Sequence, residues 1–383
     1  MPAAKKTPPK KAAPAKATAA KSPIDAILLK ANKDYGEGTL VRGADLKRMT
    51  TPRVTTGSLA FDLMLGGGFP LNSWSELLGE PSNGKSVMAI KTVAANQAIN
   101  PKYTCLYVAS EDFMPEWAQA CGMDMDRTTV CRTRVMEEAY AVIEDALEER
   151  AVDAIIVDSL SALSPMEELE GSMTDWQVGL GARLTNKFMR KAAAAQRRSL
   201  SEPDRDCLAI IISQWREKVG VQWGDNRTTP YGRGKEFHYV DRVETRRDDW
   251  INHKEQKVGF TMKARTIKNK TAPPQRVAVV DFYFDDVISP EGQVLHRAGE
   301  YDRVKEVSNL AIAYEVIEQR GSFYNYGEQQ WHGKDGFLQA LRDDLEFSAE
   351  IEHAVTAAVT GVQSPTPKKA TKRVTKSVAG RKL

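Results

Sequence analysis

Residues 79–86 read Gly79-Glu80-Pro81-Ser82-Asn83-Gly84-Lys85-Ser86. No other stretch limits the fold so tightly. The pattern is G-x-x-x-x-G-K-[ST]. Glycines let backbone N–H groups converge on phosphate oxygens, and a helix starting there adds its positive end. Lys85 can reach β- and γ-phosphates, and Ser86 can ligate Mg²⁺. The flanks suit a cradle: apolar residues lead in as a strand, and "VMAI" leads out as a helix. A plain glycine turn between strand and helix is the alternative, but it has no use for Lys85-Ser86. A strand–cradle–helix unit commits the chain to the α/β class.

The rest of the chain agrees. Apolar β-type runs occur at "CLYVAS" (105–110), "AIIVDS" (154–159) and "LAIIIS" (208–213). Helix-compatible segments at 136–150 and 178–198 separate them. Strands alternating with helices predict a mostly parallel, twisted sheet flanked by helices. "TLVRG" could be a further strand, and "LGGGFP" (65–70) a turn. Over 250–284 shorter runs predict an antiparallel extension. Helices at 305–319 and 335–357, around "GSFYNYGEQQWHG", predict a small α+β C-terminal domain. Ile24, Ile27, Leu28 and Ala31 fall at helical spacing, so 23–34 reads as a short amphipathic helix. The expected division is a tail at 1–22, a helix and linker at 23–47, a core at 48–288, a small domain at 289–357 and a tail at 358–383.

The net charge of +3 hides a segregation. Residues 1–22 carry six lysines and no acid, and 364–383 carry seven basic residues and no acid. The remaining body carries 41 basic against 51 acidic residues, or −10. Both tails are rich in Ala, Pro, Thr and Ser, which cannot bury a core, so they are expected to be disordered. They serve either as solubilising segments or as nucleic-acid-binding arms. The four cysteines lack metal or redox spacing and read as reduced thiols. With no signal-peptide core and no long apolar run, a cytoplasmic location without membrane contact is expected.

Other chemistry-bearing residues sit at strand ends, where ligands of open α/β sheets gather. Asp158 ends "AIIVD" and can support a metal shell, or it caps a helix. Glu111 follows "CLYVAS" and is either a base or a solvated surface acid. Gln214 follows "LAIIIS" and can sense a γ-phosphate without adding charge. The segment 214–234 interleaves Arg216, Lys218, Arg227 and Arg233 with Trp215, Trp223 and Tyr231. That mixture suits a nucleic-acid strand, or else a mobile surface loop. A second candidate loop is 165–182, followed by Arg183 and Arg190.

In this order the parts resemble the bacterial RecA-type recombinases over residues 23–355. "TTGSLAFDLMLGGGFP", "GEPSNGKS", "AIIVDSLSALSPMEELEG", "SQWREKVGVQWG" and "KNKTAPP" carry the resemblance. It implies a DNA-dependent ATPase using ATP and Mg²⁺. Such a protein forms a helical filament on single-stranded DNA and exchanges strands with duplex DNA. It also implies roles. Gly79 to Ser86 bind phosphate, with Ser86 and Asp158 at the metal. Glu111 is the base, and Gln214 couples γ-phosphate to the second DNA loop. Lys268 and Lys270 act on a neighbouring subunit's nucleotide. Arg183, Arg190, Arg216, Lys218, Gly232 and Arg233 grip DNA backbone, and Val178 and Val219 pack beside bases. The helix at 23–34 docks on the adjacent protomer.

The departures are specific. Pro115 and Trp117-Ala118 stand where the family commonly has an aspartate and a tyrosine near adenine, which leaves Trp117 as the stacking face. Tyr231 replaces a glycine and Glu236 a lysine. The C-terminal tail is basic where familiar members are acidic. The rival reading is a ring-forming helicase or regulatory ATPase on the same core.

Deleting 364–383 tests the tail. Duplex DNA affinity should fall most at low salt, and the salt slope of log affinity should flatten by about 2–3. Parallel slopes for full-length and truncated protein would show that the tail does not touch DNA.

Overall fold

The computed structural model describes residues 22–36, 38–43, 52–172, 174, 179–196, 206–217 and 226–360. Both basic tails, apart from Ser22 and 358–360, lie outside these residues, as do Val178, Lys218 and Val219. Two units are present, and residues 22–43 belong to the first. Its helix α1 (Pro23–Tyr35) starts with Pro23 in the first turn, where the missing N–H costs nothing. Ile24, Ile27 and Leu29 are exposed on it. "TLVRG" is not a strand. Asn32 exchanges two hydrogen bonds with the Leu40 backbone, at 2.9 and 2.8 Å, and folds the segment back on its own helix.

The second unit opens with β1 (Arg53–Val54), α2 (Leu59–Leu65) and β2 (Phe69–Pro70). Then come β3 (Ser73–Gly79), α3 (Lys85–Ile99), β4 (Cys105–Ala109) and α4 (Pro115–Ala120). β5 (Thr128–Arg132), α5 (Met136–Glu148), β6 (Ala154–Asp158) and α6 (Met166–Glu170) follow. α7 (Leu180–Gln196), β7 (Leu208–Gln214), β8 (Arg216–Glu217) and β9 (Arg227–Thr228) lead to three long strands. These are β10 (Tyr239–His253), β11 (Gln256–Asn269) and β12 (Val277–Tyr283).

One eight-stranded sheet runs β12-β11-β10-β3-β7-β6-β4-β5. From β10 to β5 every neighbour is parallel, and β10, β11 and β12 are antiparallel. The expected antiparallel extension therefore exists but begins at Tyr239. Parallel strands covered on both faces read as continuous apolar runs, and β7 shows why. Ile210 and Ile212 enter the core under α2 and α3, while Ala209 and Ile211 enter the core under α5 and α7. In the second core Phe188 of α7 stacks on Tyr140 of α5 at 4.1 Å and meets Trp74 of β3 edge-on at 5.6 Å. Burying one such ring contributes about 2–3 kcal/mol.

After the sheet come the short strands β13 (Val287–Ile288) and β14 (Val294–His296), then α8 (Arg303–Ala313). A three-stranded sheet of β15 (Glu318–Arg320), β16 (Phe323–Tyr326) and β17 (Gln329–His332) follows. The chain continues through α9 (Lys334–Asp343) and α10 (Leu345–Thr360). The single helix expected over 335–357 is two, because the Asp344 carboxylate accepts from the Phe347 N–H at 3.0 Å and starts a new helix. The helix expected over 305–319 stops at Ala313, where Glu315 turns the chain at φ 58. This region has its own small core around Phe337, Leu341 and Val355. Buried Glu306 of α8 accepts from Ser58 Oγ and from the Ala60 N–H at 2.7 Å, tying α8 to the start of α2. No helix among the described residues is long and apolar enough to cross a membrane.

One core residue works against stability. Asp241 of β10 is fully buried, and neither carboxylate oxygen has a hydrogen-bond partner among the described residues. Burial pushes its pKa up to about 7, against the opposing pull of Arg53 and Lys268. A raised carboxyl pKa favours the folded state while the group is protonated. That stability is lost as pH rises from the unfolded pKa towards the folded one. Asp241→Asn should therefore raise the thermal midpoint by several degrees at pH 8 and by almost nothing at pH 4. Equal shifts at both pH values in thermal unfolding would contradict the assignment.

Candidate nucleotide and nucleic-acid site

The parallel register delivers four strand ends to one edge. Gly79 of β3 pairs with Gln214 of β7, and Ala109 of β4 pairs with Asp158 of β6. The loop after Gly79 needs left-handed backbone, with Ser82 at φ 59 and Gly84 at φ 85. At that φ an L side chain is strained at Gly84, and a Cβ there would also sit 2.3 Å from Met262 Sδ. Glu80, Pro81 and Ser82 are exposed, Asn83 and Ser86 half-buried, and Gly79, Gly84 and Lys85 buried. Asn83 Oδ1 accepts from the Arg247 N–H at 3.3 Å, which anchors the loop to β10.

Lys85 Nζ donates to the Glu80 carbonyl at 2.8 Å, folded over the loop. Burial lowers its pKa, while Asp158, Glu111 and Glu80 pull it back up. Asp158 is pushed upward by burial, and hydrogen bonds from Tyr107 and Ser86 oppose this. An amine, a hydroxyl and a carboxylate thus converge beside a loop of free-facing backbone. Hard oxygen donors of this kind suit Mg²⁺ that keeps several waters, and the amine suits phosphate. The residues present therefore fit a Mg²⁺–nucleoside triphosphate, which would be held by Ser86, Asp158 and Lys85. Among the described residues no group of three His, Cys, Asp or Glu side chains forms a separate metal site.

Next to this, Glu111 Oε1 accepts from Gln214 Nε2 at 3.1 Å and from Ser159 Oγ. The Glu111 N–H donates to the Asp158 carbonyl at 3.2 Å. Gln214 is fixed in turn by its N–H on Ser161 Oγ at 3.0 Å. Glu111 opens on a cavity of 450 Å³ with Asp112 and Arg134 on its walls. Sequence reasoning missed Tyr107, Ser159, Ser161 and Arg134, because short hydroxyls and a lone arginine carry no spacing signal.

Trp117 is half-buried. Its ring meets Phe282 edge-on at 6.0 Å, and it packs on the main core. It lines neither the Glu111 cavity nor a second cavity of 410 Å³ beside the phosphate loop. That second cavity is basic, with Arg246, Lys263 and Arg265 facing Gly79 and Asn83. Arg227 lies 4.7 Å over the Trp215 ring there, and Glu244 holds both Arg227 and Arg265, at 2.6 and 2.8 Å.

Arg183 and Arg190 are exposed two turns apart on α7, Arg216 is exposed on β8, and Gly232 and Arg233 are exposed at the far arm of the second loop. Tyr231 is not a free aromatic. Its hydroxyl donates to the Leu163 carbonyl, and its ring covers Gly181 at the start of α7. It pins the second loop to the exit of the first. Lys268 and Lys270 sit on a different edge, where their amines donate to the carbonyls of Glu236 and Phe237, the latter at 3.2 Å. Burial and the cations Lys270 and Arg242 lower the Lys268 pKa. Arg190, Lys270 and Lys268 also hold the neighbouring His238 down, after burial.

A parallel sheet with this loop and these strand-end acids defines a P-loop nucleoside triphosphatase. The RecA N-terminal domain model matches residues 22–289. Curated proteins named "Protein RecA" match along most of the chain. That of Lactobacillus delbrueckii subsp. bulgaricus (strain ATCC BAA-365) is 33% identical over 341 residues, 88% of this chain and 87% of its own. That of Bacillus cereus (strain B4264) is 32% identical over 354 residues, 90% and 97%. That of Staphylococcus aureus (strain JH9) is 33% identical over 331 residues, 86% and 90%. The chain belongs to the RecA family, the recombinases of DNA recombination and repair.

The Tyr231–Gly181 contact can be checked by a double-mutant cycle. A Cβ on Gly181 would meet the Tyr231 ring at 2.5 Å. Gly181→Ala should destabilise by about 1–3 kcal/mol. In a Tyr231→Gly background the same change should cost almost nothing. Equal penalties in both backgrounds, by denaturant unfolding, would show that the ring does not seat there.

Proposed function

We propose that this chain binds ATP with Mg²⁺ at residues 79–86 and polymerises as a helical filament on single-stranded DNA. Within the filament it pairs that strand with homologous duplex DNA and exchanges strands. One observation carries the reading: the Glu111 carboxylate touches Gln214, the last residue before the second loop, beside the phosphate loop. A base and a γ-phosphate sensor in contact can make one event of hydrolysis and loop release.

Each residue has one task. Lys85 and Ser86 hold the phosphates, with Asp158 supporting the metal. Glu111 takes the proton of the attacking water, with Ser159 orienting the carboxylate. Gln214 reports γ-phosphate to the loop. Lys268 and Lys270 reach the neighbouring protomer's nucleotide and stabilise charge there, as an arginine finger does. Arg183, Arg190, Arg216, Gly232 and Arg233 grip phosphates, with Lys218, Val178 and Val219 completing the loops. Base pairing supplies sequence choice, so the protein needs only backbone grips. Bound ATP supplies the anhydride whose cleavage resets the filament. In this reading 23–47 joins protomers, 48–288 carries the chemistry, and 289–357 is a small accessory domain. Half-buried Trp117, beside Phe282, is kept as the residue that stacks on adenine.

Electron microscopy on single-stranded DNA with ATP is the test. Glu111→Gln should form filaments that persist while ATP turnover falls by about 100-fold or more. Lys85→Ala should form none. Closed rings, or turnover at the parental rate in Glu111→Gln, would overturn the reading.

A further inference from the structure

Glu76 and Lys235 form an ion pair that the site above does not use. Both side chains are fully buried. Glu76 lies on β3, three residues before Gly79, on the same face as Trp74. Its Oε1 accepts from Lys235 Nζ at 2.8 Å and from Ser213 Oγ at 2.8 Å, and its Oε2 accepts from Arg242 Nε at 2.6 Å. Lys235 Nζ also donates to Thr229 Oγ1 at 2.9 Å and lies 5.5 Å over the Tyr239 ring. Arg242 reaches on to Glu236 Oε2 at 3.1 Å. The four charges sum to zero, and every one has an opposite neighbour.

The partners belong to separate segments. Ser213 is the residue before Gln214. Thr229 and Lys235 bracket Gly232 and Arg233. Glu236 and Phe237 are the residues whose carbonyls hold Lys268 and Lys270. A buried charge that loses its partner is heavily penalised, so the partners of Glu76 move together or not at all. An apolar pair would fill the same space but would not bind three segments to one carboxylate.

We propose that Lys235, acting through Glu76, is a positioning residue that couples the Gln214 end of β7 to the far arm of the second loop and to the edge bearing Lys268 and Lys270. The proposal rests on the reading of the chain as an ATP-driven filament. A shift of Gln214 moves Ser213, and Ser213 shares its acceptor with Lys235. The loop arm and the two lysines then follow as one body.

Hydrogen exchange with Mg²⁺ and a slowly hydrolysed ATP analogue on the full chain tests this. In the parent, nucleotide should slow exchange in 82–88 and in 229–237. In Glu76→Gln/Lys235→Met, which removes both charges of the buried pair, 82–88 should still respond with nucleotide affinity unchanged. The response of 229–237 should vanish, and the single-stranded DNA concentration for half-maximal turnover should rise about tenfold. Thr229→Val cuts only the neutral link to the loop arm, and it should give the same separation if the double variant does not fold. A merely structural pair would lower thermal stability and leave the 229–237 response intact, which overturns the proposal. Parental protection confined to 82–88 overturns it as well. Absence of protection at 82–88 in the parent overturns the nucleotide reading and the coupling together.

Discussion

Parallel hydrogen bonding across β3, β7, β6 and β4 is the constraint from which the rest follows. Because these strands run the same way in one register, their carboxyl ends stop at one edge of the sheet. Gly79, Gln214, Asp158 and the Ser110-Glu111 step are brought there by backbone alone. Side chains then need only short reaches. The cost is that each strand is buried on both faces, and two apolar cores, one per face, meet it. Function at the edge therefore depends on packing deep in the sheet.

The phosphate loop and its strand–helix context were legible in the sequence, because backbone geometry dictates glycine at fixed spacing. The three inner parallel strands were legible because burial on both faces writes itself as unbroken apolar runs. Long periodic helices such as α5 and α7 were legible for a similar reason. Boundaries were less so. The break at Asp344 and the reversal at Glu315 depend on single capping and turn residues within otherwise helical stretches. "TLVRG" has strand composition, yet two bonds from Asn32 claim its backbone.

The site's supporting residues were mostly invisible. Ser159 and Ser161 act through hydroxyl placement, which no one-dimensional pattern records. Tyr231 and Trp117 are aromatic, and aromatics on a basic loop or near a nucleotide loop invite a stacking role. In the fold the Tyr231 ring packs over Gly181, and half-buried Trp117 meets Phe282 edge-on. Glu76 did leave a trace: an acid inside the apolar strand "SWSELLG" demands a buried partner. Nothing in the sequence said that the partner lay 159 residues away at Lys235.

The burial of that pair also has an evolutionary consequence. Loss of Glu76 leaves Lys235 in the core with no carboxylate, and loss of Lys235 leaves Glu76 with Arg242 as its one cation, steps that selection for stability disfavours. Positions 76 and 235 are thus expected to drift together or stay fixed, through intermediates that are themselves costly. Half-exposed Glu236 is under no such bond to its partner. The chain can vary the rim of this network freely while its centre is held by the difficulty of changing two residues at once.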